Sequence, residues 1–321
     1  MTQTFLVTGA AGFIGSHSVE WLLARNQRVV GVDNLRTGRL ENLEIARSSL
    51  AFEWVLADAG DEAVMRALFE QHRFTGVLHL AALVSVPESF REPALNYRLN
   101  LAAADCIARL CLEFKCKRLV FASSAAVYGT HAVLPNQESA IPQPQSPYAA
   151  AKLAAEVMLL GYAASYALEA VCLRYFNVYG PRQDPSSPYS GVLSIFTDRF
   201  QGGLPAIVYG DGEQTRDFIS VRDVARANGE ALIQTHAMAD CYNVCTGCGI
   251  SLNQVLAVYQ ELFPDAPPVE YTTARIGDIR HSRGNPEKLR NILGFSAQIP
   301  FRQGLHELVL GEKAANSEIG A

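Results

Sequence analysis

Short apolar runs punctuate the first half of the chain: Thr4 to Thr8, Arg28 to Val32, Phe52 to Leu56, Gly76 to Leu80 and Arg118 to Ala122. Each has the length of a buried strand. Between them lie segments that read as helices: one carrying Trp21, Leu22 and Leu23, one from Asp61 to Gln71, and a long one from Pro93 to Phe114. Strand and helix in regular alternation predict a doubly wound parallel sheet, so the fold class is α/β. A further helix from Val221 and a strand at Asp240 to Val244 are expected to return to that sheet. The expected division is residues 1–177 for the sheet domain, with return segments near 216–245, and 178–321 for a smaller α/β substrate lobe.

The first turn adds chemistry to this frame. Gly9-Ala10-Ala11-Gly12-Phe13-Ile14-Gly15 follows the opening strand and starts a helix. Glycines there let backbone amides and a helix N-terminus approach a pyrophosphate, as in a Rossmann-type sheet. The spacing is G-x-x-G-x-x-G rather than the usual G-x-G-x-x-G. The next strand ends in Asp33, at about the distance where a carboxylate takes a ribose 2'-hydroxyl and repels a 2'-phosphate, which favours NAD over NADP. Asp33 as a loop cap is the alternative. Asn34 adjoins it, and Asp58, after the third strand, is placed either to meet an adenine amino group or as an ordinary loop aspartate. Leu80-Ala81-Ala82 would let the chain pass close to a cofactor. His79 reads as a core histidine.

At the carboxyl end of the fifth strand stand Ser123 and Ser124, where open parallel sheets place their ligands; the same serines could simply close a turn. A Pro-rich loop, Ile141 to Pro147, then leads into Ser146-Pro147-Tyr148-Ala149-Ala150-Ala151-Lys152. Proline suits a first helical turn and the serine before it can cap the exposed amides. Tyr148 and Lys152, at i and i+4, therefore share one helix face. A phenol works as a base near pH 7 only if its pKa falls from about 10 by about 3, roughly 4 kcal/mol. A lysine charge about 6 Å away at an effective dielectric of about 20 supplies roughly 2.8 kcal/mol, and a second cation must supply the rest. Oxidised nicotinamide is such a cation. A chance pair on a surface helix has the same spacing.

Composition narrows the partners. At 321 residues with a formal charge of -5, the chain has no basic excess to compete for nucleic acid or anionic membrane. Met1 to Thr4 run straight into an apolar strand, and no apolar run approaches the roughly 18 residues of a membrane helix, so a cytoplasmic location is expected. Seven cysteines, an odd count, read as reduced thiols. Cys241, Cys245 and Cys248 have iron-cluster spacing, but their strand-and-turn context points them in different directions, and no metal site is expected.

The glycine turn, Ser124 and Tyr148-x-x-x-Lys152 together resemble the extended short-chain dehydrogenase/reductases, and within them the UDP-sugar 4-epimerases. The likeness continues through Leu173 to Arg182, Gly210 to Phe218 and Arg275-x-Gly277-Asp278. It implies NAD as cofactor, with Asn100 and Tyr175 near its ribose and nicotinamide. It implies a UDP-sugar substrate whose phosphates meet Asn177 and Arg216, with Arg275 and Asp278 as further UDP contacts and Tyr209 beside the uracil. A two-fold homodimer through Pro93–Phe114 and Tyr148–Tyr166 is also implied.

Two departures bear on the reaction and the sugar. Related 4,6-dehydratases and decarboxylases carry an acid just after the position of Ser124, where this chain has Ala125 and Ala126. Ser282 falls on the family's gate beside the sugar C2 substituent, where a serine leaves room for an N-acetyl group. Arg280-His281-Ser282 and Ser85-Val86-Pro87 are similar to UDP-N-acetylglucosamine 4-epimerases, so UDP-GlcNAc and UDP-GalNAc are the expected pair, with UDP-glucose the alternative. Proteins of this type that act as redox sensors lack the tyrosine and lysine.

Overall fold

The computed structural model describes residues 2–130, 133–184, 191–234, 238–274 and 279–311. Chain order begins β1 (Thr4–Thr8), α1 (Phe13–Leu23), β2 (Arg28–Asp33), α2 (Glu44–Arg47), β3 (Phe52–Leu56), α3 (Glu62–Gln71) and β4 (Gly76–His79). It continues through α4 (Val86–Arg91), α5 (Pro93–Tyr97), α6 (Ala103–Glu113), β5 (Arg118–Ser124), α7 (Pro147–Ser165) and β6 (Glu169–Tyr175). Then come β7 (Asn177–Tyr179), α8 (Val192–Gln201), β8 (Ile207–Tyr209), β9 (Thr215–Arg216), β10 (Phe218–Ser220), α9 (Val221–Ile233) and β11 (Asp240–Val244).

One parallel sheet takes seven of these strands in the order β11-β6-β5-β4-β1-β2-β3. Its strands are apolar on both faces, as a sheet covered on both sides requires. Phe5, Val7 and Val120 pack with Val19 and Leu22 of α1 and Val224 and Ala227 of α9. On the other face Leu6, Val77 and Phe121 pack with Met65 of α3, Ile107 of α6 and Leu159 of α7. Helix α9 lies so close to α1 that a Cβ on Gly229 would sit 2.0 Å from the Trp21 ring. From β1 the chain moves outward to β2 and β3, then returns to lay β4 on the other side of β1. That reversal opens a crevice at the carboxyl ends of β1 and β4.

Two elements differ from the sequence reading for physical reasons. The long helix expected over Pro93–Phe114 is interrupted by a π turn, Arg98–Ala102, between α5 and α6. In that turn the buried Asn100 amide donates to the Leu83 carbonyl and to Asn96 Oδ1. Strand β5 runs two residues beyond Ala122, because Ser123 and Ser124 stay in register with Arg174 and Tyr175 of β6.

The smaller lobe has its own core of Phe196, Phe200, Val208, Leu256 and Tyr259. Here β8 pairs with a strand at Glu270–Thr272, and β9 pairs antiparallel with Ile250–Ser251.

Candidate functional site

A cavity of about 750 Å³ occupies the crevice, lined from β1's glycine turn to Asn177 and Val178. Gly9 has φ +72°, and a Cβ there would lie 2.8 Å from the Ala81 nitrogen. A Cβ on Gly15 would lie 1.9 Å from the Gly9 carbonyl oxygen. The turn and α1 therefore nest with no room for a side chain. Gly12 caps α1 without a side-chain bond, which leaves the positive helix end facing the cavity.

Asp33, buried at the end of β2, accepts hydrogen bonds from the amides of Ala11 (3.1 Å) and Leu35 (2.8 Å). Burial raises its carboxyl above the usual range, and those amides work against the rise. Asn34 Nδ2 stands 3.5 Å from Asp58 Oδ2, and both residues line the cavity with Leu80, Ala81 and Ala82. A bare glycine cradle, a helix N-terminus and a carboxylate fixed by amides are what a dinucleotide requires, so the residues present fit NAD.

On the opposite wall, Ser146 caps α7 by accepting the Ala149 amide at 3.1 Å, with Pro147 in the first turn. The Tyr148 amide donates to Ser89 Oγ at 3.1 Å. Lys152 is buried, donates Nζ to the Ala122 carbonyl at 2.9 Å, and lies 6.0 Å from the Tyr148 ring centre and 4.9 Å from that of Phe121.

The electrostatics correct one expectation from the sequence. Burial pushes Lys152 down to about 7, with the Glu156 charge pulling the other way. Burial raises the Tyr148 phenol, and a hydrogen bond with Ser124 offsets part of that rise. Burial rather than the lysine sets the direction for the phenol, because the wall that holds the pair disfavours both charged forms. Next to it on β4, His79 is buried, pairs Nδ1 with Thr8 Oγ1 at 2.7 Å, and is held down to about 3 by burial and by Lys152.

The cavity gathers Gly9, Gly12, Phe13, Ile14, Gly15, Asp33, Asn34, Asp58, Leu80, Ala81, Ala82, Ser124, Tyr148, Lys152, Tyr175 and Asn177. Tyr175 turns its hydroxyl away, donating to Asn228 Oδ1 at 2.7 Å. Asn100 is not on the cavity wall, since its side chain fastens the Leu83 segment. Ser85 is also off the wall: its hydroxyl caps α4, accepting the Glu88 amide at 2.9 Å. Arg216 and Ser282 adjoin one another across Thr215, whose carbonyl accepts from both, but lie outside the cavity in the smaller lobe, as does Tyr209 at the end of β8. Arg275 and Asp278 lie outside the described residues.

Several wall residues escaped the sequence reading. Arg36 pairs with Glu88 at 2.5 Å and Arg39 with Asp184 at 2.6 Å, each joining distant segments, and Arg36, Arg39 and Asp184 line the cavity. Behind the wall, Glu156 and Arg174 form a buried ion pair. Glu156 had a local signal, since it follows Lys152 at the same i+4 spacing. Among the described residues there is no cluster of metal-binding side chains, and no helix is long and apolar enough to cross a membrane.

Comparison with known proteins agrees with this geometry. Residues 5–245 match the model of the NAD dependent epimerase/dehydratase family. A UDP-glucose 4-epimerase from Mycolicibacterium smegmatis is 37% identical over 311 residues, covering 95% of this chain and 96% of the relative. A UDP-N-acetylglucosamine 4-epimerase from Methanobrevibacter ruminantium, solved with UDP-N-acetylmuramic acid, superposes with a TM-score of 0.90 at 35% identity, covering 98% of this chain and 99% of its own. A Thermus thermophilus UDP-glucose 4-epimerase solved with NAD gives 0.85 at 39% identity, covering 96% and 98%. With a glycine cradle, an amide-held Asp33 and the Ser124–Tyr148–Lys152 constellation on one cavity, the chain belongs to the NAD-dependent epimerase/dehydratase family.

Proposed function

We propose that this protein is a UDP-sugar 4-epimerase whose main substrates are UDP-GlcNAc and UDP-GalNAc. The observation that carries the reaction is the convergence of Ser124, Tyr148 and Lys152 on the wall facing the glycine cradle. Ser124 bonds the substrate 4-hydroxyl and relays its proton to the Tyr148 oxygen. NAD, held by the Gly9–Gly15 cradle and Asp33, would supply hydride transfer at C4 and a positive charge beside the phenol. The sugar passes through a 4-keto form and turns over while its nucleotide stays anchored. Tyr148 then gives the proton back, so no net oxidation results. Asn177, Arg216, Arg275 and Asp278 would hold the UDP, since guanidinium groups bind phosphate through paired donors. Ala125 and Ala126 follow Ser124 and place no acid there for elimination.

Ser282 supports the acetylated sugar. It is a small residue, half-buried, on a segment joined to Thr215 beside Arg216. UDP-glucose is the second reading, favoured by the Mycolicibacterium smegmatis relative's name. The homodimer belongs to the same proposal: Val157 on α7, Tyr166 just past its end and Tyr97 on α5 are exposed apolar residues along the helices concerned. The deciding experiment denatures the purified protein, identifies any released nucleotide by mass spectrometry, and assays both sugar pairs. NAD in the extract with interconversion of UDP-GlcNAc and UDP-GalNAc is expected. An empty protein that inverts no UDP-hexose with NAD added would overturn the proposal.

A further inference from the structure

Behind the catalytic wall lies a buried carboxylate with no part in the reaction as drawn. Glu156 sits on α7 one turn beyond Lys152 and two beyond Tyr148, with 1% of its surface exposed. Its Oε1 accepts the Ser123 hydroxyl at 2.5 Å and Arg174 Nε at 2.9 Å, and its Oε2 accepts Arg174 at 2.7 Å. Arg174 lies on β6 in register with Ser123 of β5 and donates its remaining fork to the Tyr128 hydroxyl at 3.0 Å. Ser123 immediately precedes Ser124. A single carboxylate thus grips the strand end that presents one catalytic group and rides on the helix that presents the other two.

A buried ion pair does little for stability by itself, because desolvating both ions consumes the attraction. Fixing geometry is a different matter: a displacement of about 1 Å at a reacting centre can cost about 100-fold in rate. The geometry points to Glu156 as a positioning residue, which locks the Ser124 strand to the Tyr148–Lys152 helix and sets the electrostatic setting of the lysine. This rests on the catalytic reading of Ser124, Tyr148 and Lys152 above.

The electrostatic half follows from what surrounds each group. Facing Lys152 are Glu156 and Tyr148 on its own helix and His79 on β4. Facing Glu156 are Arg174 and Cys172 on β6, with Tyr128 and Cys241 beyond Arg174. His79 stays neutral near pH 7, so among these neighbours Glu156 is the group whose charge opposes the fall of Lys152.

The test uses the NAD-loaded enzyme and two variants beside wild type and Tyr148→Phe. Ser123→Ala removes one hydroxyl and leaves the ion pair, so it should fold. It is expected to lower kcat by about tenfold, with KM for the UDP-sugar within about twofold and NAD content unchanged. Glu156→Gln is expected to move the alkaline limb of the kcat profile to lower pH by about one pH unit, because a lysine without its anion loses its proton earlier. Should Glu156→Gln fail to fold around the unpaired Arg174, Ser123→Ala decides. Wild-type kcat in Ser123→Ala, or an unmoved limb in folded Glu156→Gln, would overturn the inference while an inactive Tyr148→Phe leaves the catalytic reading standing. An active Tyr148→Phe would bring down that reading instead.

Discussion

Lys152 Nζ donates to the Ala122 carbonyl at 2.9 Å, so a helix side chain is bonded to the backbone of the strand that delivers Ser124. The bond holds the ammonium against Phe121 in a buried part of the cavity wall. Its cost shows in the ammonium's own acidity.

That cost predicts how stability depends on pH. Lys152 titrates near 7 when folded and near 10.5 when unfolded, so between these values the unfolded chain binds more protons and stability rises with pH. Below about 7 the full penalty of the buried charge is present. The urea midpoint of NAD-free protein should therefore rise more steeply from pH 7 to 9 in wild type than in Lys152→Met. Equal slopes would mean that the lysine stays charged in the fold.

Tyr148→Phe should lose about 1,000-fold in turnover, the usual worth of a positioned proton carrier. Its backbone contact with Ser89 is untouched by the change, so NAD should co-purify as with wild type. Conversion followed by chromatography, with nucleotide released from denatured protein, measures both.

At Ser282 the substitution to tyrosine should suppress turnover of the acetylated pair and spare UDP-glucose. The Ser282 amide bond to the Thr215 carbonyl is kept, so the segment should stay in place while the side chain grows. Retained UDP-GlcNAc epimerisation in Ser282→Tyr would remove the serine from the specificity argument.

Gly15→Ala would force a methyl to within 1.9 Å of the Gly9 carbonyl oxygen. Because the obstacle is backbone, no rotamer relieves it, and a loss of about 3 kcal/mol or more is expected. The purified variant should carry less NAD than wild type, read by absorbance of the denatured extract and by the denaturant midpoint.

Salt should loosen the cofactor through two pairs that involve cavity-lining arginines, Arg36–Glu88 and Arg39–Asp184. Both are partly exposed and therefore screened by ions. NAD release should quicken with salt in wild type and depend less on it in Arg36→Ala/Arg39→Ala, measured by stopped-flow dilution.

The chain's motifs were legible where the chemistry is local. Gly9 to Gly15 and Tyr148 to Lys152 each sit on one turn, so spacing alone fixes which atoms face together. Residues joined across the fold were not. Arg36 meets Glu88, and Ser85 and Asn100 look inward to α4 and Leu83, through contacts that no spacing encodes. The rise of the Tyr148 phenol was missed for a related reason. Two charges can be placed from a helix register, but the desolvation around them depends on Phe121, Ala122 and His79, which come from other strands.

The late return of α9 and β11 has a consequence for dissecting the molecule. Trp21 rests against the bare backbone at Gly229, and β6 has β11 as its outer neighbour. A fragment stopped at Asn177 would leave an indole stranded in water and an unzipped sheet edge inviting other chains, so it should clump on expression. Severing the sheet domain from the smaller lobe is thus not a matter of finding the right linker, for the polypeptide stitches the two together after both have begun.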